Sequence, residues 1–273
     1  MRGEFLDLDG ARIYYYAAGT RGAGNPVVFL HGFPTSGHLW GDVVPLMPPG
    51  HRLVVLDLLG FGRSDRPMQR PMGVRAQADR VVSVFDELSI KEACVVGHGV
   101  GGGIAQSIAV RHPARVSHLC LVDSVAFSQW PTVLARLGRA LAPAAALLPP
   151  SSVLTLLRRE LARAYRDPVR AARSIDIFLR PFKGSEGRDA LLAHVRALRA
   201  DETAAIAPKL AALHMPAAVL WGRYDKITGL SIGKRLQASI PAATLSVIDD
   251  GGHFTPEEAP RQVADGIAAL LRR

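Results

Sequence analysis

Four short stretches of this chain carry residue types that can move a proton and hold an anion. The first is Gly97-His98-Gly99-Val100-Gly101-Gly102, directly after an apolar run at 94–96. It reads as a strand, a sharp turn and a helix, the arrangement that lifts a nucleophilic side chain out of a sheet. The central position of such a turn normally holds Ser or Asp, and here it is Gly99, which has no side chain. The second stretch is Asp249-Asp250-Gly251-Gly252-His253-Phe254, where a glycine pair presents His253 as a candidate general base. In the third, Trp221-Gly222-Arg223-Tyr224-Asp225, the acid Asp225 would orient that imidazole and stabilise its protonated form. Asp123, which follows another apolar run, is the alternative acid. The fourth stretch is His31-Gly32-Phe33-Pro34, whose backbone N–H at Phe33 can join that of Val100 in binding a developing oxyanion at the positive end of a helix. His31 and His98 flank these turns and are expected to pack or hydrogen-bond beside the site.

The elements that must position these residues follow from hydrophobic patterning. Runs at 5–8 and 13–17 with Asp9-Gly10 between them predict an opening hairpin. Apolar runs at 27–30, 53–56, 94–96, 119–122, 217–220 and 245–248 predict strands covered on both faces. Helical patterns fall between them at 76–88, 104–111, 230–239 and 260–271, which argues for an α/β fold with a largely parallel sheet. From about 127 to 205 the alternation stops. That stretch is rich in Ala, Leu and Arg at helical spacing and is punctuated by prolines. It is expected to form a helical cap, residues 127–205, over a core of 1–126 and 206–273. Leu134, Leu137, Leu154 and Leu157 are candidates either to line a pocket beneath the cap or to pack the cap onto the sheet.

Composition bounds the rest. With 273 residues, 48% apolar and 21% charged, the chain can bury a full core as one domain with an inserted cap. The polar start Met1-Arg2-Gly3-Glu4 and the lack of any long apolar run lead to the expectation of a cytoplasmic protein without an integral membrane segment. Cys94 and Cys120 lie in strand-like runs and read as buried apolar residues. No metal, cofactor or nucleic-acid signature is visible, so the expected partner is a small molecule; the sequence does not give the oligomeric state. The net charge is +9. Residues 126–200 hold twelve Arg and Lys183 against five acids, which accounts for +8 of it. Arg159, Arg163, Arg166, Arg170 and Arg173 would share one helical face if Pro168 only kinks or restarts the helix, forming a solvated face or a surface for an anionic ligand or membrane.

Taken together, the His31-Gly32-Phe33-Pro34 block, the block Asp57-Leu58-Leu59-Gly60-Phe61-Gly62-Arg63-Ser64-Asp65, the turn at Gly99, Trp221 to Asp225 and Gly252-His253-Phe254 resemble the α/β-hydrolase superfamily over essentially the whole chain. The haloalkane dehalogenase and epoxide hydrolase branch is the nearest resemblance. It implies an α/β-hydrolase fold: a mostly parallel eight-stranded sheet, helices on both faces and a helical cap inserted after the sixth strand. It also implies Asp57 and Asp65 as organisers of a Gly-rich turn. Gly99 departs from the family pattern, because neither an acyl-serine nor an alkyl-aspartate intermediate can form on glycine. Three functions fit this sequence. One is an enzyme using His253 as general base without a covalent nucleophile, by water-mediated hydrolysis or a non-hydrolytic lyase- or cyclase-type step. The others are an Asp or Ser hydrolase whose nucleophile has been substituted, and a ligand-binding pseudo-hydrolase.

Overall fold

Short runs of β-branched and leucine residues form one eight-stranded sheet in the computed structural model, which describes residues 3–19, 24–67 and 69–273, the side chains of 133–135 excepted. Met1, Arg2 and the side chain of Leu134 lie outside the described residues. Strands β1 (Glu4–Leu8) and β2 (Ala11–Gly19) make the antiparallel hairpin, and its turn places Asp9 and Gly10 at φ 54° and 76°. Strand β4 (Arg52–Leu56) pairs antiparallel with β2. Strands β3 (Val27–Leu30), β5 (Ala93–His98), β6 (Val116–Val122), β7 (Ala217–Gly222) and β8 (Ala243–Ile248) continue the sheet in parallel. The spatial order is β1-β2-β4-β3-β5-β6-β7-β8.

Every residue of β3, β5 and β7 is buried, as a strand covered on both faces requires. Strand β8 differs from the sequence expectation: it is the outermost strand, and Thr244 and Ser246 are exposed. Helix α1 (Val74–Glu87) packs on α2 (Val100–Arg111), which crosses β5 and β6. Helix α8 (Leu230–Ser239) lies with Gly233 against Trp221, and α10 (Pro260–Leu270) with Gly266 against Leu220. Adjacent residues of a strand point to opposite faces, so α8 and α10 cover opposite faces of the sheet.

Between β6 and β7 the described residues form five α-helices and no strand: α3 (Val133–Ala145), α4 (Pro150–Ala164), α5 (Pro168–Leu179), α6 (Gly184–Ala197) and α7 (Asp201–Ile206). The five arginines do not share a helical face. The chain leaves the helix at Tyr165, and Asp167 caps α5 by accepting from the N–H groups of Val169 and Arg170, with Pro168 in the first helical position. Arg163 then pairs with Glu160, Arg170 with Asp42, and Arg166 lies over the Tyr224 ring at 4.1 Å. Leu154 and Leu157 pack against the core, whereas Leu137 is exposed.

Glycines set how closely α2 seats on the sheet. A Cβ at Gly101 would sit 2.5 Å from the carbonyl oxygens of both Leu30 and His31, and one at Gly97 would sit 2.3 Å from the Gly101 carbonyl. Backbone cannot yield at such contacts as a flexible side chain can. Gly101→Ala is therefore expected to destabilise the protein by about 1–3 kcal/mol or more, the range for overpacking. Gly138→Ala on α3, which meets only Val195 Cγ1 at 3.8 Å, is expected to stabilise by roughly 0.5–1 kcal/mol. Chemical denaturation of the two variants checks both signs.

Candidate active site

The loops at the carboxyl ends of β3, β5, β7 and β8 converge, where parallel α/β sheets place ligands. Gly99 ends β5 at φ 55° and ψ −121°, a left-handed conformation that glycine adopts without strain. Its N–H donates to Val122, and its carbonyl accepts from the N–H groups of Gly102 and Val125, each at 3.0 Å. Backbone bonds thus hold the turn in shape without any contribution from a side chain. A Cβ built on Gly99 would meet only Gly32 Cα at 3.6 Å and His253 Nε2 at 3.7 Å, both ordinary contacts.

His253 is buried, and its Nδ1 lies 3.1 Å from Asp225 Oδ1. That oxygen also accepts from the N–H groups of Ile227 (2.8 Å) and Thr228 (3.1 Å), while the Thr228 hydroxyl donates to Oδ2. Burial opposes ionisation of Asp225, but His253 and these donors outweigh it and hold the carboxyl below its usual range. An ionised Asp225 can only accept, so the proton of a neutral His253 sits on Nδ1 and the Nε2 lone pair faces the position above Gly99.

Asp123 bonds elsewhere: it accepts from the Gly222 N–H at 2.8 Å and from the Thr255 hydroxyl. Complete burial, with the charge of Asp225 second, raises its pKa well above the usual carboxylate value. The structure therefore brings Asp225, and not Asp123, to the imidazole. His98 donates from Nε2 to the His253 carbonyl at 2.8 Å, and burial pushes its pKa down to about 3. His31 accepts from the Leu58 N–H at Nε2 and donates from Nδ1 to Gly32.

A cavity of about 140 Å³ opens above Gly99. Phe33, Val100, Val125, Trp130, Leu161 and Phe254 are among the apolar residues that line it, and His253 and Glu160 line it as well. The N–H groups of Phe33 and Val100 are taken by no backbone carbonyl among the described residues. No Lys or Arg lines the cavity. Among the described residues no group of three His, Cys, Asp or Glu side chains is placed to hold a metal.

One part of the site escapes sequence reasoning. The strap at Ala164 to Asp167, between α4 and α5, is clasped to the His253 loop by backbone and side-chain bonds. The His253 N–H donates to Ala164 O at 3.1 Å. Glu258 accepts from the N–H groups of Arg166 and Asp167 at one oxygen and from Gly252 at the other. Tyr165, the one tyrosine of the helical segment, turns its hydroxyl to Glu257 at 2.6 Å and stacks on Phe254 with ring centroids 4.2 Å apart. It does not line the cavity. Only the adjacency of Glu257 and Glu258 to His253 in the chain hints at this role.

Comparison with known proteins places the fold in a family. A family profile described as the alpha/beta hydrolase fold matches residues 25–260. The uncharacterized hydrolase YugF of Bacillus subtilis (strain 168) is 27% identical over 97% of this chain and 96% of its own length. The 2-hydroxymuconate semialdehyde hydrolase of Pseudomonas putida is 30% identical over 89% of this chain and 86% of its own. Among solved structures, an alpha/beta hydrolase fold protein from Burkholderia ambifaria superposes with a TM-score of 0.90 at 25% identity, covering 99% of this chain and 97% of that one.

The clasp carries a pH dependence. Burial raises Glu257 from 4.5 to about 7, against the lowering effect of its bonds from Tyr165 and Ser174. A carboxyl with a raised folded-state pKa gives stability that is complete below its unfolded value and is lost as pH rises through the folded one. Each unit corresponds to about 1.4 kcal/mol before any screening by solvent. Between about pH 5 and pH 8 the melting temperature of the wild-type protein should therefore fall relative to Glu257→Gln. Parallel melting curves for the two proteins would contradict this reading.

Proposed function

The chain belongs to the alpha/beta hydrolase fold family, and from that premise we propose that it is an enzyme whose general base is His253 and which forms no covalent intermediate. One observation carries the reading: the His253–Asp225 pair is complete, and Nε2 lies 3.7 Å from where a side chain at position 99 would begin. Asp225 holds the imidazole in the tautomer that leaves Nε2 free to accept a proton. A water seated above Gly99 gives that proton to Nε2 as its oxygen attacks the substrate carbonyl. The oxyanion that forms is held by the N–H groups of Phe33 and Val100, helped by the positive end of α2. Collapse of this adduct expels the leaving group, which takes the proton back from His253. The same base and oxyanion hole can instead take a proton directly from a substrate carbon or hydroxyl, for a lyase- or cyclase-type step.

The cavity wall favours a small, largely apolar molecule. Residues 127–205 act as its cap, over a core of 1–126 and 206–273. Relatives named as hydrolases at 27–30% identity support the hydrolytic form of the reaction. A second reading, an Asp or Ser hydrolase with its nucleophile replaced, is favoured by the open space at Gly99, where a Cβ has no clash.

An activated-ester and lactone screen of four proteins tests the proposal: wild type, His253→Ala, Gly99→Ser and Gly99→Asp, with intact-mass detection of adducts. Wild type should turn over a substrate without an adduct, and His253→Ala should lose about 10²-fold or more, the scale of general-base catalysis. Equal activity in His253→Ala would overturn the mechanism. Activity confined to the Ser or Asp variant would favour the second reading.

A further inference from the structure

The arginine-rich helical segment leaves an apolar face uncovered. Leu137 and Leu141, one turn apart on α3, are each 52% exposed, and Ala140 and Ala144 beside them are exposed as well. Just past the end of α3, Leu147 is 87% exposed and Leu148 is 49% exposed, and Leu156 on α4 adds a fifth leucine. Scattered exposed leucines need no explanation, but four fall within residues 137–148 at one corner of the helical segment, and Leu156 follows on the next helix.

Along this stretch of the chain the charge has one sign, although the Arg188–Asp189 pair of α6 meets its edge at the Leu148 carbonyl. Residues 124–159 contain Arg136, Arg139, Arg158 and Arg159 and no Asp or Glu. Arg158 is paired with Asp176, whereas Arg136 and Arg159 are exposed and form no ion pair among the described residues. A second copy of the chain is a poor occupant, because a two-fold contact sets a patch against itself. Arginine would then face arginine, with no carboxylate in this stretch to answer it. An anionic lipid surface answers both features, since headgroup phosphates pair with the arginines and the acyl boundary accepts the leucines. No helix among the described residues is long and apolar enough to cross a membrane, so the contact is peripheral.

We infer that the α3–α4 corner docks on anionic membrane surfaces. The placement has a functional sense. Trp130 and Pro131 line the cavity immediately before α3, and Glu160 and Leu161 line it one turn beyond Leu156. A docked protein therefore holds its cavity close to the phase in which apolar molecules concentrate. This inference is independent of the chemistry at Gly99.

Co-sedimentation of the full chain with vesicles tests it, using phosphatidylcholine alone or mixed with phosphatidylglycerol. The protein should sediment with the anionic vesicles at low salt, be released by high salt, and ignore the neutral ones. Leu141→Asp/Leu147→Asp, with circular dichroism and melting temperature unchanged, should bind anionic vesicles at least about tenfold more weakly. Arg136→Glu/Arg159→Glu, which leaves the leucines in place, should lose binding by a similar factor. Absence of binding to anionic vesicles at low salt overturns the inference, as does unchanged binding by the leucine variant. A dimer in sedimentation velocity that the leucine variant abolishes would assign the face to a second copy instead.

Discussion

The site depends on one close approach, that of the first turn of α2 to the ends of β3 and β5. No side chain fits between them, since Cβ atoms at Gly97 and Gly101 would overlap backbone oxygens. The approach brings Val100 to the cavity wall and sets Gly99 at positive φ. It also brings Gly32 and its neighbour Phe33 alongside, so that Gly32 lies against the Val100 nitrogen. In a chain with Ser or Asp at position 99, that backbone would be strained by a Cβ. Here the same conformation persists without strain, because the bonds that fix it run through the backbone of Gly99, Gly102, Val122 and Val125. The geometry of the turn is therefore separable from the residue it displays. The turn keeps its shape with no side chain at position 99.

The same reasoning explains why only one of two neighbouring acids stands beside His253. Asp123 and Asp225 are both buried, and two ionised carboxylates in one low-dielectric region repel. Asp225 collects donors from Ile227, Thr228 and His253 and keeps its charge. Asp123 has fewer donors and no cation, so burial raises its pKa instead. Its bonds to Gly222 and Thr255 tie the end of β7 to the short helix α9 (Thr255–Glu258), which follows the His253 loop. One acid keeps its charge through His253 and the donors around it, and the other is held neutral by complete burial beside that charge.

Much of the fold was legible because its causes are local. Valine and leucine runs mark β3, β5 and β7, and Asp9-Gly10 marks the hairpin turn. The spacing of Gly97, Gly99 and Gly101 marks the sharp turn into α2. Gly99, His253, Asp225, Phe33 and Val100 could be singled out from the sequence because each sits next to a strand end. Less legible features depend on neighbours distant in the chain. Leu137 reads as a buried cap residue from its helical spacing, yet nothing packs over it and it is exposed. The arginine series reads as one stripe until Asp167 caps a new helix and turns the series aside. Glu257 and Glu258 are adjacent in sequence but hold different groups of one strap, the Tyr165 hydroxyl and the N–H groups of Arg166 and Asp167, a division set by where those residues come to lie.

That strap sets a limit on how independently the helical segment can move. Any motion that lifts Ala164 to Asp167 from the sheet must break the bonds of Glu258 and the His253 N–H to Ala164 O. It would also uncover the stacked rings of Tyr165 and Phe254. Because His253 hangs on the same loop, opening along this edge would disturb the imidazole itself. At α3 the ties are different: Arg139 donates to the Leu198 carbonyl at 3.2 Å, Ala142 is buried, and the Trp130 indole just before the helix donates to the Thr203 hydroxyl at 2.7 Å. The edge walled by Trp130 and Pro131 is therefore fastened to the end of α6 and to α7, and the edge at the strap is the one tied to the loop of the base.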